Sequence, residues 1–212
     1  MKVTSGWIDA ELASEFPQLA LHVVEVGCGS GKSPPEVRER LKAMSDRYTG
    51  GRAVQLRQEP VPWAYRVFFR QVGLDPDESR TPAEALALAR MQHGGFKSAN
   101  LLDDAIAIAT VETGVPIVAF DADRVGREIG LRLSRPGERL GEDGRELSVR
   151  QLLVADEDRS IAVLFGDMAD GRGVHPGTRR MLLCAVQVKG VPQVSVEEAL
   201  WTAVEVITGE SA

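Results

Sequence analysis

The residues best suited to do chemistry fall in the run V-V-E-V-G-C-G-S-G-K-S, Val23 to Ser33. A nucleotide phosphate loop needs G-x-x-x-x-G-K-[ST], so that successive backbone N–H groups curl round phosphate oxygens ahead of a helix N-terminus. Counting back from Gly31, Lys32 and Ser33 puts the first glycine at Val26, one residue out of register with Gly27. Elsewhere the reactive side chains are scattered. Asp121 and Asp123 are spaced to share a proton or a cation, but carboxylates two apart in a turn after a strand more often accept bonds from their own backbone. His22 alternates with Ala20 and Val24 on one face of a strand, His93 shares a loop with Lys97 near Arg90, and His175 lies in G-R-G-V-H-P-G-T-R-R. Three unconnected histidines, with no serine in a nucleophile elbow, give no hydrolytic triad. Cys28 and Cys184 lack a close-spaced Cys or His partner, so neither a zinc site nor a disulfide framework is implied, and no metal or cofactor is expected.

The elements that must position these residues change character along the chain. L-A-L-H-V-V-E-V, Leu19 to Val26, is rich in branched residues and ends at glycines, which predicts a strand entering a tight loop. S-P-P-E-V-R-E-R-L-K-A-M follows as a helix, with Ser33 as its cap and prolines in the first turn. The paired glycines between Tyr48 and Arg52 predict a turn or short linker. W-A-Y-R-V-F-F-R-Q-V-G is helical in spacing and ends at Gly73, Thr81 to Glu84 form a capping box opening a second helix, and Asn100 caps a third that ends near Gly114. Beyond it V-P-I-V-A-F-D, E-I-G-L-R-L, Q-L-L-V-A-D, S-I-A-V-L-F and M-L-L-C-A-V-Q-V are short apolar or alternating runs separated by turn chemistry. A closing helix, S-V-E-E-A-L-W-T-A-V-E-V-I, carries a capping box at Ser195 and Glu198 and an inward face of Leu200, Val204 and Ile207. Helices followed by strands predict an α+β fold rather than a doubly wound parallel sheet.

Composition narrows the function classes. With 212 residues, 43% hydrophobic and 26% charged, the chain can bury a substantial core as one compact unit. Its opening residues, one lysine followed by acidic groups, argue against a secretory signal, and no apolar run reaches membrane-spanning length, so the cytoplasm is the expected location. The net charge of −6 disfavours broad, sequence-blind RNA binding. Arg172, Arg179, Arg180 and Lys189 are left as a local basic strip near the C-terminal strands.

Two resemblances organise the remaining motifs. Glu25, Gly27, Gly29 and Gly31, as E-x-G-x-G-x-G after an apolar strand, resemble the first motif of S-adenosylmethionine-dependent methyltransferases. That fold needs a second strand ending in an acid. The next strand-like run is R-A-V-Q-L-R-Q-E, its candidate acid Glu59 comes late, and helices follow instead of further alternation.

The second resemblance covers far more of the chain. S-A-N-L-L-D-D-A-I-A-I-A-T-V-E-T-G-V-P-I-V-A-F-D-A-D, I-G-L-R-L-S-R-P-G-E-R-L, L-L-V-A-D-E-D-R-S-I-A-V-L-F-G-D-M, and Thr178 followed by L-L-C-A-V-Q-V keep the order and gaps of one module. They resemble the tRNA-binding and editing module of the bacterial phenylalanyl-tRNA synthetase beta subunit, its domains B-three and B-four. The preceding P-W-A-Y-R-V-F-F-R-Q-V-G resembles the leader of stand-alone bacterial proteins built on it. The resemblance implies a β-rich three-layer core with flanking helices, residues 61–212 as the module, residues 1–60 as a strand-helix annex packed on it, and a pocket for the end of charged tRNA or a small aminoacyl-like ligand.

By the same resemblance Asn100, Val118, Gly166, Thr178 and Cys184 border that pocket, although Asn100 serves equally well as a helix cap. Val118 and Cys184 stand where the family places a histidine and a glutamate. Valine cannot exchange a proton, and a cysteine in an apolar strand is an inert thiol. The expectation is therefore a binding protein whose editing activity is lost. The alternatives are a trans-acting aminoacyl-tRNA deacylase and a methyltransferase using the V-G-C-G-S-G loop.

Overall fold

The computed structural model describes residues 2–27, 30–157 and 159–209; Cys28 and Gly29, in the middle of the glycine-rich run, lie outside them. Two four-stranded sheets form the centre. In the first, β1 (Thr4–Ser5), β3 (Ala20–Val26), β8 (Met181–Gln187) and β4 (Ile117–Asp121) lie side by side in that order, every neighbour antiparallel. In the second, β2 (Trp7–Ile8) runs parallel to β5 (Ile129–Leu133), and β6 (Leu152–Asp156) and β7 (Arg159–Val163) continue it antiparallel. β8 has a partner on each edge and cover on both faces, which is why its sequence is continuously apolar rather than alternating.

The chain passes from one sheet to the other at Gly6. A Cβ there would stand 2.5 Å from the Ile129 carbonyl oxygen and 2.7 Å from Leu21 Cδ2, so only glycine lets the two sheets approach at this corner. Gly130 plays the matching part on β5, where a Cβ would fall 2.2 Å from the Trp7 indole.

Helices complete three layers. α6 (Leu101–Thr113) and α7 (Gln193–Thr208) pack on one another and cover the face of the first sheet turned away from the second. α2 (Pro35–Arg47) and α5 (Pro82–His93) flank α6, while α1 (Ala10–Glu15) lies beside β5. α4 (Pro60–Gln71) buries Tyr65, Phe68 and Phe69, and the Tyr65 hydroxyl donates to the Val186 carbonyl at 2.6 Å. It is tied to α5 by the buried pair Arg66–Glu84 at 2.6 Å; Glu84 also accepts from Arg57 at 2.9 Å and from the Thr81 amide at 3.3 Å. The α+β class and three-layer arrangement expected from sequence are present. No helix among the described residues is long and apolar enough to cross a membrane.

Three local expectations are corrected. Ser33 does not cap α2, whose cap is Pro34; its hydroxyl instead donates to buried Asp104 at 2.5 Å, a bond that reaches the first turn of α6. Residues 50–58, read as a linker and a strand-like run, form α3 (Gly50–Gln55) and a 3-10 turn (Leu56–Gln58), with Thr49 as cap. The second strand that the methyltransferase motif required is therefore helical. α7 starts two residues before Ser195, with Pro192 at its N-cap position in an extended conformation (φ −63°, ψ 143°) and no side-chain cap bond.

Candidate functional site

Val118 on β4 stands directly across from Cys184 on β8, and Cys184 directly across from Val23 on β3. Opposed residues of antiparallel strands point to one face, so these three form a row looking toward the second sheet. Between the sheets lies a cavity of about 200 Å³. Its buried floor is Val154, Ala162, Cys184 and Val186, and its half-exposed rim is Ile117, Val118, Phe165 and Met168, with Gly166 at the mouth. Pro82 and Pro116 close one end. Every lining side chain is hydrocarbon or sulfur.

The far wall depends on a strained turn. Phe165 has φ +60°, a left-handed conformation that costs a side-chain-bearing residue on the order of 1 kcal/mol or more. Its ring stacks on Phe69 at 5.1 Å between centroids and meets Tyr65 edge-on at 6.1 Å, contacts that offset the cost and fix the wall to α4. Gly166 completes the turn, its amide donating to the Val163 carbonyl at 3.0 Å. Burial pushes the Cys184 thiol up, and its sulfur has only the Leu182 carbonyl at 4.0 Å for company. It is a protonated thiol at neutral pH, with no base hydrogen-bonded to it among the described residues.

Of the five residues expected at the pocket, Val118, Gly166 and Cys184 line it; Asn100 and Thr178 do not. Asn100 caps α6, accepting from the Asp103 amide at 2.9 Å and donating to the Asp103 carboxylate at 2.7 Å. Thr178 donates to Asp121 Oδ2 at 2.6 Å and accepts from the His175 amide at 3.1 Å. His175 completes this knot, with Nε2 3.2 Å from Asp121 and Nδ1 accepting from the Gly177 amide at 3.0 Å. Burial opposes ionisation of Asp121, but the Thr178 hydroxyl, the Asp123 amide and the charges of His175 and Arg124 outweigh it and hold its pKa below the usual carboxylate range. The cluster pins the loop before β8 to the end of β4. The other histidines are remote from it: His22 is buried on β3 with Nε2 3.0 Å from Gln187 Oε1, and His93 is exposed in the last turn of α5.

The basic side chains divide. Arg172 borders an open cleft with Arg124 and Arg159, two arginines the sequence reading did not single out, and donates to the Arg124 carbonyl. Arg180 is held by Glu25 at 2.9 Å and Asp123 at 2.7 Å, whereas Arg179 is exposed with no ionic partner among the described residues. Lys189 lies past the opposite end of β8 from Arg180, roughly 30 Å away at about 3.3 Å per residue. Among the described residues no group of three or more His, Cys, Asp or Glu is placed to hold a metal. A further cleft of about 340 Å³ between α2 and α7 contains none of the expected site residues.

The structure thus defines a two-sheet α+β domain whose inter-sheet pocket is lined by apolar side chains. Residues 64–207 match the model of the B3/4 domain family, and the chain belongs to that family. Among curated proteins it is 41% identical over 108 residues to the phenylalanine-tRNA ligase beta subunit of Anaeromyxobacter dehalogenans, covering 48% of this chain and 13% of that one. It is 33% identical over 127 residues to the same subunit of Neisseria meningitidis, covering 58% and 14%, and 28% identical over 149 residues to that of Pseudomonas syringae pv. tomato, covering 69% and 18%. The chain spans less than a fifth of the length of these relatives. β3, at the centre of the first sheet, precedes the matched residues.

Proposed function

We propose that this protein binds an aminoacyl-like ligand, or the charged end of a tRNA, in the pocket beside Val118 and Cys184 and holds it without hydrolysis. One observation supports this reading: the cavity bordered by Val118 and Cys184 has no side chain in its lining that can position water or move a proton. Ester hydrolysis needs a base within hydrogen-bond reach, directly or through one water. A valine and a high-pKa thiol leave that position empty of acid-base chemistry.

Family membership and the phenylalanine-tRNA ligase relatives support the tRNA half. With a net charge of −6 and Arg180 already paired, few cations remain for phosphates, so binding is weak and salt-sensitive. If Arg124, Arg172 and Arg179 each meet one phosphate of a single strand, log K falls with log salt at a slope of about −2. Titration with a bulk tRNA pool at low and moderate salt tests this; a flat titration at low salt removes the RNA half. Incubation with mischarged tyrosyl-tRNA tests the chemistry. The expected result is no hydrolysis above background, and turnover would make the protein a deacylase instead.

A further inference from the structure

We infer that the group seated in this pocket is an uncharged hydrocarbon about the size of one ring or branched alkyl chain, and that the pocket selects against the same group bearing a hydroxyl or an ammonium. The inference rests on the pocket being the ligand site. Its basis is the hydrogen-bonding inventory of the walls. The side chains contribute no nitrogen or oxygen. Cys184 on β8 is paired with Val23 and Val118, Val186 with Leu21 in the β3 ladder, and Val154 on β6 with Leu131 and Ala162, next to a register shift at Ala155. The Val186 carbonyl also takes the Tyr65 hydroxyl. The amides of Val163, Leu164 and Gly166 donate to Asp167, Leu152 and Val163 at 2.8, 2.9 and 3.0 Å.

The floor's side chains therefore offer no donor, and its main chain is held by strand ladders and the Tyr65 hydroxyl. A hydroxyl or ammonium driven into it gives up water for nothing. The rim differs: β4 is the edge strand of its sheet, with Phe120 bridged onward to Gly173 and the Asp121 amide donating to the Arg172 carbonyl at 3.0 Å, both at its far end. Its main chain at Ile117 to Ala119 is where a ligand's polar end finds partners. The ligand then lies hydrocarbon inward, with its carbonyl or ester at the β4 edge. Volume agrees, since apolar cavities of about 150 Å³ accept a benzene-sized guest and this one measures about 200 Å³.

The test uses three matched probes on the full chain: 3-phenylpropionamide, 3-(4-hydroxyphenyl)propionamide and 3-(4-(aminomethyl)phenyl)propionamide, the last protonated, so that the hydroxyl and the ammonium stand at the inward end. Binding is read by NMR from labelled Val and Met methyls, so that Val118, Val154 and Met168 report occupancy. The expected result is saturable shifts with the first probe and affinities weaker by about tenfold or more for the other two. Val118→Trp, which fills the rim, should abolish the shifts, but the ranking on the unsubstituted protein decides without it. Pocket shifts with the hydroxylated or protonated probe binding as tightly as the first overturn the selectivity and leave the ligand site standing. No pocket shifts with any probe removes both.

Discussion

Val118 and Cys184 are cross-strand partners whose side chains share one wall of the apolar pocket, one at its half-exposed rim and the other on its buried floor. Their different depths make the two positions unequal in what they tolerate, although both belong to the same ladder.

Restoring polarity at each position should expose that difference. Val118→His keeps its ring at the rim and should cost less than about 1 kcal/mol, whereas Cys184→Glu forces a carboxyl into a floor with no donor and should cost several. Urea denaturation of the two single variants checks the ranking; equal losses would show that the floor is wetter than its lining implies.

Phe165 offers a cleaner separation of backbone from side chain. Removal of the ring loses the stack on Phe69, but Phe165→Gly also releases the left-handed strain that Phe165→Ala keeps. The glycine variant should therefore be the more stable of the two by about 1 kcal/mol, an inversion of the order found at ordinary positions. Thermal unfolding of the pair is sufficient, and an alanine variant as stable as glycine would contradict the strained turn.

The Asp121 knot should appear in the acid limb of the stability curve. Its folded-state pKa lies below the unfolded value of about 3.9, so its stabilisation is complete above that pH and is lost as pH falls through the folded value. Thr178→Val removes the strongest bond favouring the carboxylate and raises the folded pKa. The deficit should be about 1–3 kcal/mol at pH 7 and should narrow below about pH 4. A pH-independent deficit would mean that Thr178 acts through packing alone.

The Arg66–Glu84 pair holds α4 against the start of α5, and so holds Pro82 at the pocket's end. Glu84→Gln keeps the shape but leaves the buried Arg66 guanidinium with only the half-exposed Asp77 as an anionic partner. The expected loss is about 3–5 kcal/mol by chemical denaturation, together with weakened binding of 3-phenylpropionamide. A loss below 1 kcal/mol would indicate that Asp77 and Arg57 rearrange to compensate.

Much of this molecule was legible locally. The capping box at Thr81, the Asn100 cap and the left-handed glycines at 73 and 114 are set by neighbours within four residues, and each is found where its pattern stands. The misreadings share a different origin. Ser33 has cap chemistry, yet Asp104, seventy-one residues away, takes its hydroxyl. R-A-V-Q-L-R-Q-E has strand-like residues, yet it folds as helix because Leu56 packs with Tyr48, Ala83 and Ala87 in a small core of its own.

The sequence by itself carried most of the long helices, the strand runs of the second half and the family, because caps, periodicity and residue type act over a turn or a pleat. It did not show that Val154, Ala162, Phe165 and Met168 would face Val118 and Cys184, or that Thr178 would turn away to Asp121. Those outcomes depend on which strands pair and how two sheets meet at Gly6, contacts such as Ala20 with Gln187 whose free energy exists only once the chain has closed.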